Sequence, residues 1–161
     1  MRTRDTRTGY GWISIAFHWF TAIVVLTLWF VGSSIHADPA TQESTLRLHT
    51  SIAISAYVLL WARIVWRLKV RHPGPLPGQA GAFYRIGMYT HYGMCIAIGA
   101  MLISGPLMVW ARGDVIHVWD WFTIPGFFSA SMGFFDAMLG VHVWCSRFII
   151  VATALHIGGV Y

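Results

Sequence analysis

The sequence predicts an all-α integral membrane protein, a four-helix bundle, from its composition, its hydropathy and the spacing of its apolar blocks. Of 161 residues, 57% are hydrophobic and 11% charged, and the mean hydropathy is +0.60. That leaves too little polar surface for an ordinary soluble domain. The apolar residues gather around 13–35, 49–66, 88–110 and 138–160, each block supplying roughly 20 residues, enough to cross a hydrocarbon core of about 30 Å. They run as IVVLTLWFV or FIIVATAL, without the alternation of a lipid-facing β-strand. The first block is too long for a secretory leader, and it ends at SSIHADP, a poor cleavage site. With no linker, repeat or low-complexity tract, residues 1–161 read as one transmembrane domain.

Taken in order, the first helix begins at Trp12, carries the interfacial aromatics Trp12 and Trp19, and ends near Asp38–Pro39. Thr45 or Ser44 is expected to cap the second helix, whose run of Arg63, Arg67 and Lys69 is expected to anchor at the membrane surface. HPGPLPGQAG, residues 72–81, cannot continue a helix. Gly105–Pro106 in the third block predicts a kink or a close backbone approach. The long connection 111–136, with Trp119, Trp121 and Phe122, is expected to lie on the membrane surface with a short helix.

The net charge is +5, and its placement sets the topology. Arg2, Arg4 and Arg7 precede the first helix, and Arg67, Lys69, Arg71 and Arg85 flank the second connection. Arg47 and Arg112, on the other side, are outnumbered by Asp38, Glu43, Asp114, Asp120 and Asp136. The positive-inside rule then places the N-terminus in the cytoplasm, in a multi-pass protein of the bacterial inner membrane. The basic balance is a topology signal and does not call for nucleic acid. Cys95 and Cys145 are too few for a four-thiolate site and read as small buried side chains.

The histidines carry the chemistry. Five of eight, His18, His49, His91, His142 and His156, lie in the spanning blocks, where an imidazole is costly unless paired or coordinated. His142 and His156 are 14 residues apart, nearly four turns and about 21 Å, so they share one helix face at two depths. His49 falls at the level of His142; His18 and His91 fall at the level of His156. Zinc wants three or four ligands at one level, whereas two imidazoles per level suit the axial positions of a haem iron. Gly93, Gly99, Gly105, Gly140, Ala152 and Ala154 leave room for a flat macrocycle. Spacing leaves a metal site or a proton relay open, and leaves His91 and His156 competing to pair with His18.

SIAFHWFTA, LRLHTSIAISAYVLLWARIVWRLK, THYGMCIAIGAMLISGPLM and GVHVWCSRFIIVATALH, in this order, resemble the four helices of the bacterial cytochrome b561 family and of related cytochrome b subunits of hydrogenases and formate dehydrogenases. The resemblance spans essentially the whole chain. It implies two stacked, non-covalent b-type haems, with His49 and His142 as ligands of the outer iron and His18 and His156 of the inner one. It places His91 beside the inner haem, in reach of a propionate or a quinone.

Arg147, between the two levels, is not part of the family pattern. A charge this deep needs an anionic or carbonyl partner, and a haem propionate is the expected one. Arg63 sits nearer the boundary and is a second cofactor-side candidate. Tyr161 follows His156 by five residues without the usual basic tail, so the chain is expected either to be cut short or to finish against a neighbour.

The resemblance implies an electron carrier from a periplasmic donor to ubiquinone or menaquinone in the membrane, a quinone-reducing oxidoreductase if the donor is small. Superoxide is one such donor, with Arg47 and Arg112 as candidates for a positive funnel. Quinone is expected near His91, where a proton is exchanged, with Arg85, Tyr84 and Tyr89 completing the pocket. The alternative is a membrane anchor taking electrons from a periplasmic dehydrogenase or hydrogenase subunit. An ion or proton transporter is disfavoured, because the apolar blocks contain no Asp or Glu. Lipid is a partner in every reading, and a homo-oligomer stays open.

Overall fold

The computed structural model describes residues 3–6, 8–70, 73–75 and 81–158. Arg2, Arg7, Arg71 and Tyr161, which entered the topology and chain-end arguments, lie outside the described residues. The elements are α1 (Trp12–Ser34), α2 (Gln42–Lys69), α3 (Gly81–Ala111), β1 (Ile116–Val118), β2 (Phe122–Ile124) and α4 (Met132–Gly158). Among the described residues, all four helices are long and apolar enough to cross a membrane. A helix is what such a sequence must form in lipid, because it satisfies every backbone polar group within its own segment.

The helices make a bundle in which α1 pairs chiefly with α2 and α3 with α4, while α2 and α3 join the two pairs. Large apolar side chains cover its outside: Val58 is 75% and Ile96 73% exposed, as lipid-facing residues should be. The buried core is small. Ala56, Leu60, Ile64 and Leu102 are packed by Phe20, Val24, Tyr57, Trp61 and Ile98, which places it at mid-height.

Three helices, α2, α3 and α4, start six or seven residues earlier than their apolar blocks. At α2 the polar run Gln42–Leu48 is already helical, and Thr41 holds the N-cap position. The Ser44 and Thr45 hydroxyls, expected as caps, instead donate to the Thr41 carbonyl at 2.9 and 2.8 Å. Glu43 in the first turn and Arg67 and Lys69 in the last complement the helix dipole. His49 is thus two turns inside α2, and His91 lies almost three turns inside α3. Pro106 stays within α3, its missing donor tolerated as in other spanning helices.

The connection from α3 to α4 differs from the helix expected there. It is an antiparallel hairpin with register Ile116↔Ile124, His117↔Thr123 and Val118↔Phe122, and it leans on α2. β-Branched and aromatic residues at 115–124 favour the extended form. Serines of α2 hold it in place. Trp119, in the left-handed region at φ 48°, donates its backbone N–H to Ser51 Oγ at 2.7 Å and its indole N–H to Ser55 Oγ at 3.1 Å. The Thr50 and Ser51 hydroxyls donate to the His117 carbonyl at 3.3 and 3.4 Å.

Ser51 is 1% exposed, so Ser51→Ala leaves the Trp119 N–H buried without its acceptor. The expected loss is about 1–3 kcal/mol of stability, read as a lower unfolding midpoint of the detergent-purified protein.

Candidate functional site: two stacked histidine cavities

The bundle encloses two cavities, one above and one below the mid-height core. The first, about 470 Å³, opens toward the hairpin end and is lined by residues of all four helices, including His49 and His142. The second, about 320 Å³, lies at the end carrying the N-terminus and is lined by His18, His91 and His156 with Arg63, Arg67, Tyr10 and Asp5. α4 is the shared wall: its helical period brings His142 to one cavity and His156 to the other.

In the first cavity the His49 and His142 ring centres are 6.3 Å apart and their planes 70° from parallel. Both rings are held from behind. His142 Nδ1 is 3.2 Å from Ser104 Oγ, and the Met101 backbone lies beside this ring. The Leu28 carbonyl is the acceptor facing His49, whose buried Nδ1 has no hydrogen bond of ordinary geometry among the described residues. Glycines make the approach possible. A Cβ at Gly32 would stand 3.1 Å from His49 Cε1, and one at Gly105 would stand 3.5 Å from His142 Cε1. The Gly105–Pro106 step therefore provides a close approach between α3 and α4.

In the second cavity the His18 and His156 ring centres are 6.2 Å apart, while His91 lies closer to His156, at 4.7 Å. An iron bonded to two axial imidazole nitrogens at about 2.0 Å each separates the ring centres by about 6 Å. Both the His49–His142 and His18–His156 pairs have that spacing; His91 and His156 are too close to enclose an atom between opposed rings. Among the described residues no group of three or more His, Cys, Asp or Glu side chains is arranged to hold a metal ion unaided. Two imidazoles per cavity are the donors that would hold a haem there.

The arginines divide. Arg63 and Arg67, expected at the surface, turn inward to the second cavity; Arg67 is 6% exposed and lies over the Tyr92 ring at 5.6 Å. Arg147 lines the first cavity, with its guanidinium 5.1 Å over Trp144 on the outer face of α4. Arg47 pairs with Glu43 at 2.8 Å and Arg112 with Asp114 at 3.2 Å, and neither lines the first cavity. The spacing Glu43-x-x-x-Arg47 was the sequence signal for the first of these pairs.

Arg85, Tyr84 and Tyr89 do not reach the second cavity either. Tyr89 is exposed, and Tyr84 donates its hydroxyl to the Pro73 carbonyl at 3.3 Å. Tyr10, Ser14 and Asp5 stand there instead. No local pattern announces them, because the segment before α1 reaches the cavity only by folding back. Cys95 and Cys145 are free and partly buried.

Comparison with known proteins points the same way. A family model described as prokaryotic cytochrome b561 matches residues 9–161. The chain is also 31% identical over 161 residues to "Cytochrome b561 homolog 2" of Escherichia coli (strain K12), covering 97% of this chain and 85% of that protein. With four membrane-spanning helices and histidines gathered at two depths, the chain belongs to the prokaryotic cytochrome b561 family of membrane electron-transfer proteins.

Proposed function

We propose that this protein carries electrons through two b-type haems from a donor at the hairpin side to a membrane quinone at the second cavity. The observation that carries the reading is the pair of imidazole couples, 6.3 and 6.2 Å between ring centres, joined by one helix. His49 and His142 are the ligands of the first haem, and His18 and His156 of the second. When bound, haem iron supplies reversible one-electron chemistry at each level.

The protein's own groups orient and insulate. An Nδ1–H of His142 donated to Ser104 leaves the Nε2 lone pair turned to the cavity, and the Leu28 carbonyl faces the His49 ring. The mid-height core around Leu60 and Leu102 keeps water from the space between the levels. Arg147 and Arg63 serve haem carboxylates, Arg147 at the first level and Arg63 at the second. His91, left over from ligation, donates a hydrogen bond to a quinone carbonyl.

Charge supports the orientation. Arg4, Lys69 and Arg85 lie at the end of the second cavity, against Asp38, Glu43, Asp114, Asp120 and Asp136 at the hairpin end. The N-terminal end therefore faces the cytoplasm and the hairpin the periplasm, in the inner membrane. A small donor such as superoxide at the hairpin side, with ubiquinone or menaquinone as acceptor, completes this reading.

His142→Ala should remove, or convert to high spin, about half of the haem absorbance while leaving one low-spin haem; two intact low-spin haems would refute the assignment. Arg147→Gln should keep both haems low-spin yet lower the midpoint of the first by about 20–60 mV, equivalent to about 0.5–1.4 kcal/mol for one electron, in a redox titration. In His91→Ala both haems should remain, while quinone reduction under saturating donor falls about tenfold; unchanged turnover would remove His91 from the quinone site.

A further inference from the structure

The second cavity is covered at its end and open at its side. Ahead of α1 the chain turns back on itself through a short bridge between Thr6 and Gly9. Gly11 donates its backbone N–H to Asp5 Oδ1 at 2.7 Å, and Ser14 donates its hydroxyl to Asp5 Oδ2 at 2.9 Å. Ser14 in turn accepts the Trp66 indole N–H at 2.8 Å, so this hook is fastened to α2 as well as to α1. Gly11 is required for the closure: a Cβ there would sit 2.6 Å from the Arg4 carbonyl carbon and the Thr3 carbonyl oxygen. Asp5 and Tyr10 of the hook thereby line the cavity, and the hook lies across its N-terminal end.

The side is different. Ile15 and Trp19 line the same cavity, yet Ile15 is 44% and Trp19 61% exposed. They are four residues apart, so they stand one above the other on α1. Trp19 is seven residues into the helix from Trp12, about 10 Å along it, at a depth where the surroundings are hydrocarbon. α1 packs chiefly on α2, and no helix covers the Ile15–Trp19 edge among the described residues. The spanning helices otherwise line the cavity with polar side chains: Ser14, His18, Arg63, Arg67, His91 and His156. A polar chamber therefore meets the lipid across one apolar edge. Trp19 stands at the junction, edge-on to the His18 ring with centres 5.6 Å apart and planes 69° from parallel.

A quinone has the same two-part layout, and this inference rests on the quinone reading above. Its head is a ring with two carbonyl acceptors, and its isoprenoid tail stays in lipid. We propose that quinone enters the second cavity sideways from the bilayer, its head among the polar side chains and the first units of its tail lying on the Ile15–Trp19 edge. Arg63 and His91 present donors to the head, whereas Ile15 and the face of Trp19 present apolar surface to the tail. The hook lies across the aqueous end, so the lipid side is the route that leaves its hydrogen bonds intact. Ile15 and Trp19 are thus specificity residues for the tail and take no part in moving electrons or protons.

The test is stopped-flow oxidation of the pre-reduced, haem-loaded full chain in lipid nanodiscs, by decylubiquinone or by the tail-less dimethoxy-methyl-benzoquinone. The rate against quinone concentration yields a half-saturating concentration and a limiting rate. Trp19→Ala should raise the half-saturating concentration for decylubiquinone about five- to tenfold and leave that for the tail-less quinone within about twofold. Limiting rates, the reduced haem spectrum and both midpoints should match wild type. Trp19→Phe restores an apolar ring and should recover most of the affinity. Ile15→Ser should shift decylubiquinone in the same direction, which separates the effect from the Trp19–His18 contact. Independently, a decylubiquinone analogue with a photoreactive azide on its tail should label the peptide that contains Ile15 and Trp19. Equal shifts for the two quinones, or labelling confined to other helices, overturn the proposal. A wild-type chain that neither quinone reoxidises removes the quinone reading and this inference with it; normal wild-type reoxidation with unshifted Trp19→Ala and Ile15→Ser removes the inference alone.

Discussion

Everything in this bundle is arranged around two imidazoles on one face of α4, His142 and His156. Fourteen residues of helix hold them about 21 Å apart along the axis, and a single rigid element therefore sets both the alignment and the separation of the two levels. Each has a second imidazole beside it. α2 supplies His49 at one end and α1 supplies His18 at the other, with ring centres at 6.3 and 6.2 Å. The third helix contributes no opposed ring at the first level. It contributes Gly105, which lets α4 approach, and Ser104, which fixes the ring that has approached.

The two cavities then diverge in chemistry. Around the first pair the polar atoms near the rings are backbone carbonyls and a serine, and Ser104 orients the His142 ring. Around the second stand two arginines, a third histidine, a tyrosine and a carboxylate. In the proposed function the charge-rich cavity at the membrane boundary is where protons and electrons meet, and the first cavity passes electrons alone. The mid-height core of Ala56, Leu60, Ile64 and Leu102 lies between them.

The hairpin shows how a short polar code inside a spanning helix can organise a distant loop. Thr50, Ser51 and Ser55 lie just past His49 on α2, and together they satisfy the turn at His117–Trp119. Trp119 accepts a left-handed backbone there because Ser51 takes its N–H and Ser55 takes its indole. Aromatic residues that read as a surface helix are thus drawn into a strand pair by partners nearly 70 residues earlier. Local preference for an extended chain contributed to that outcome, but only the serines chose the register.

What the sequence by itself determined is whatever depends on short-range periodicity and on the bilayer as solvent. Continuous apolar blocks must be helices in lipid, and a helix fixes the relative depth and face of every histidine it carries. Hence the spans and the two histidine levels were legible from the one-dimensional pattern. The tertiary structure alone decided which charges enter the cavities. Arg67 looked like a boundary anchor and is buried, while Arg47 and Arg112 looked like a funnel and are tied to Glu43 and Asp114. Asp5 reaches the second cavity only because the chain before α1 folds back around Gly11. A charged side chain at a helix end can snorkel outward or turn inward at similar local cost, so its direction is set by partners from other elements, and those are assigned only when the bundle closes.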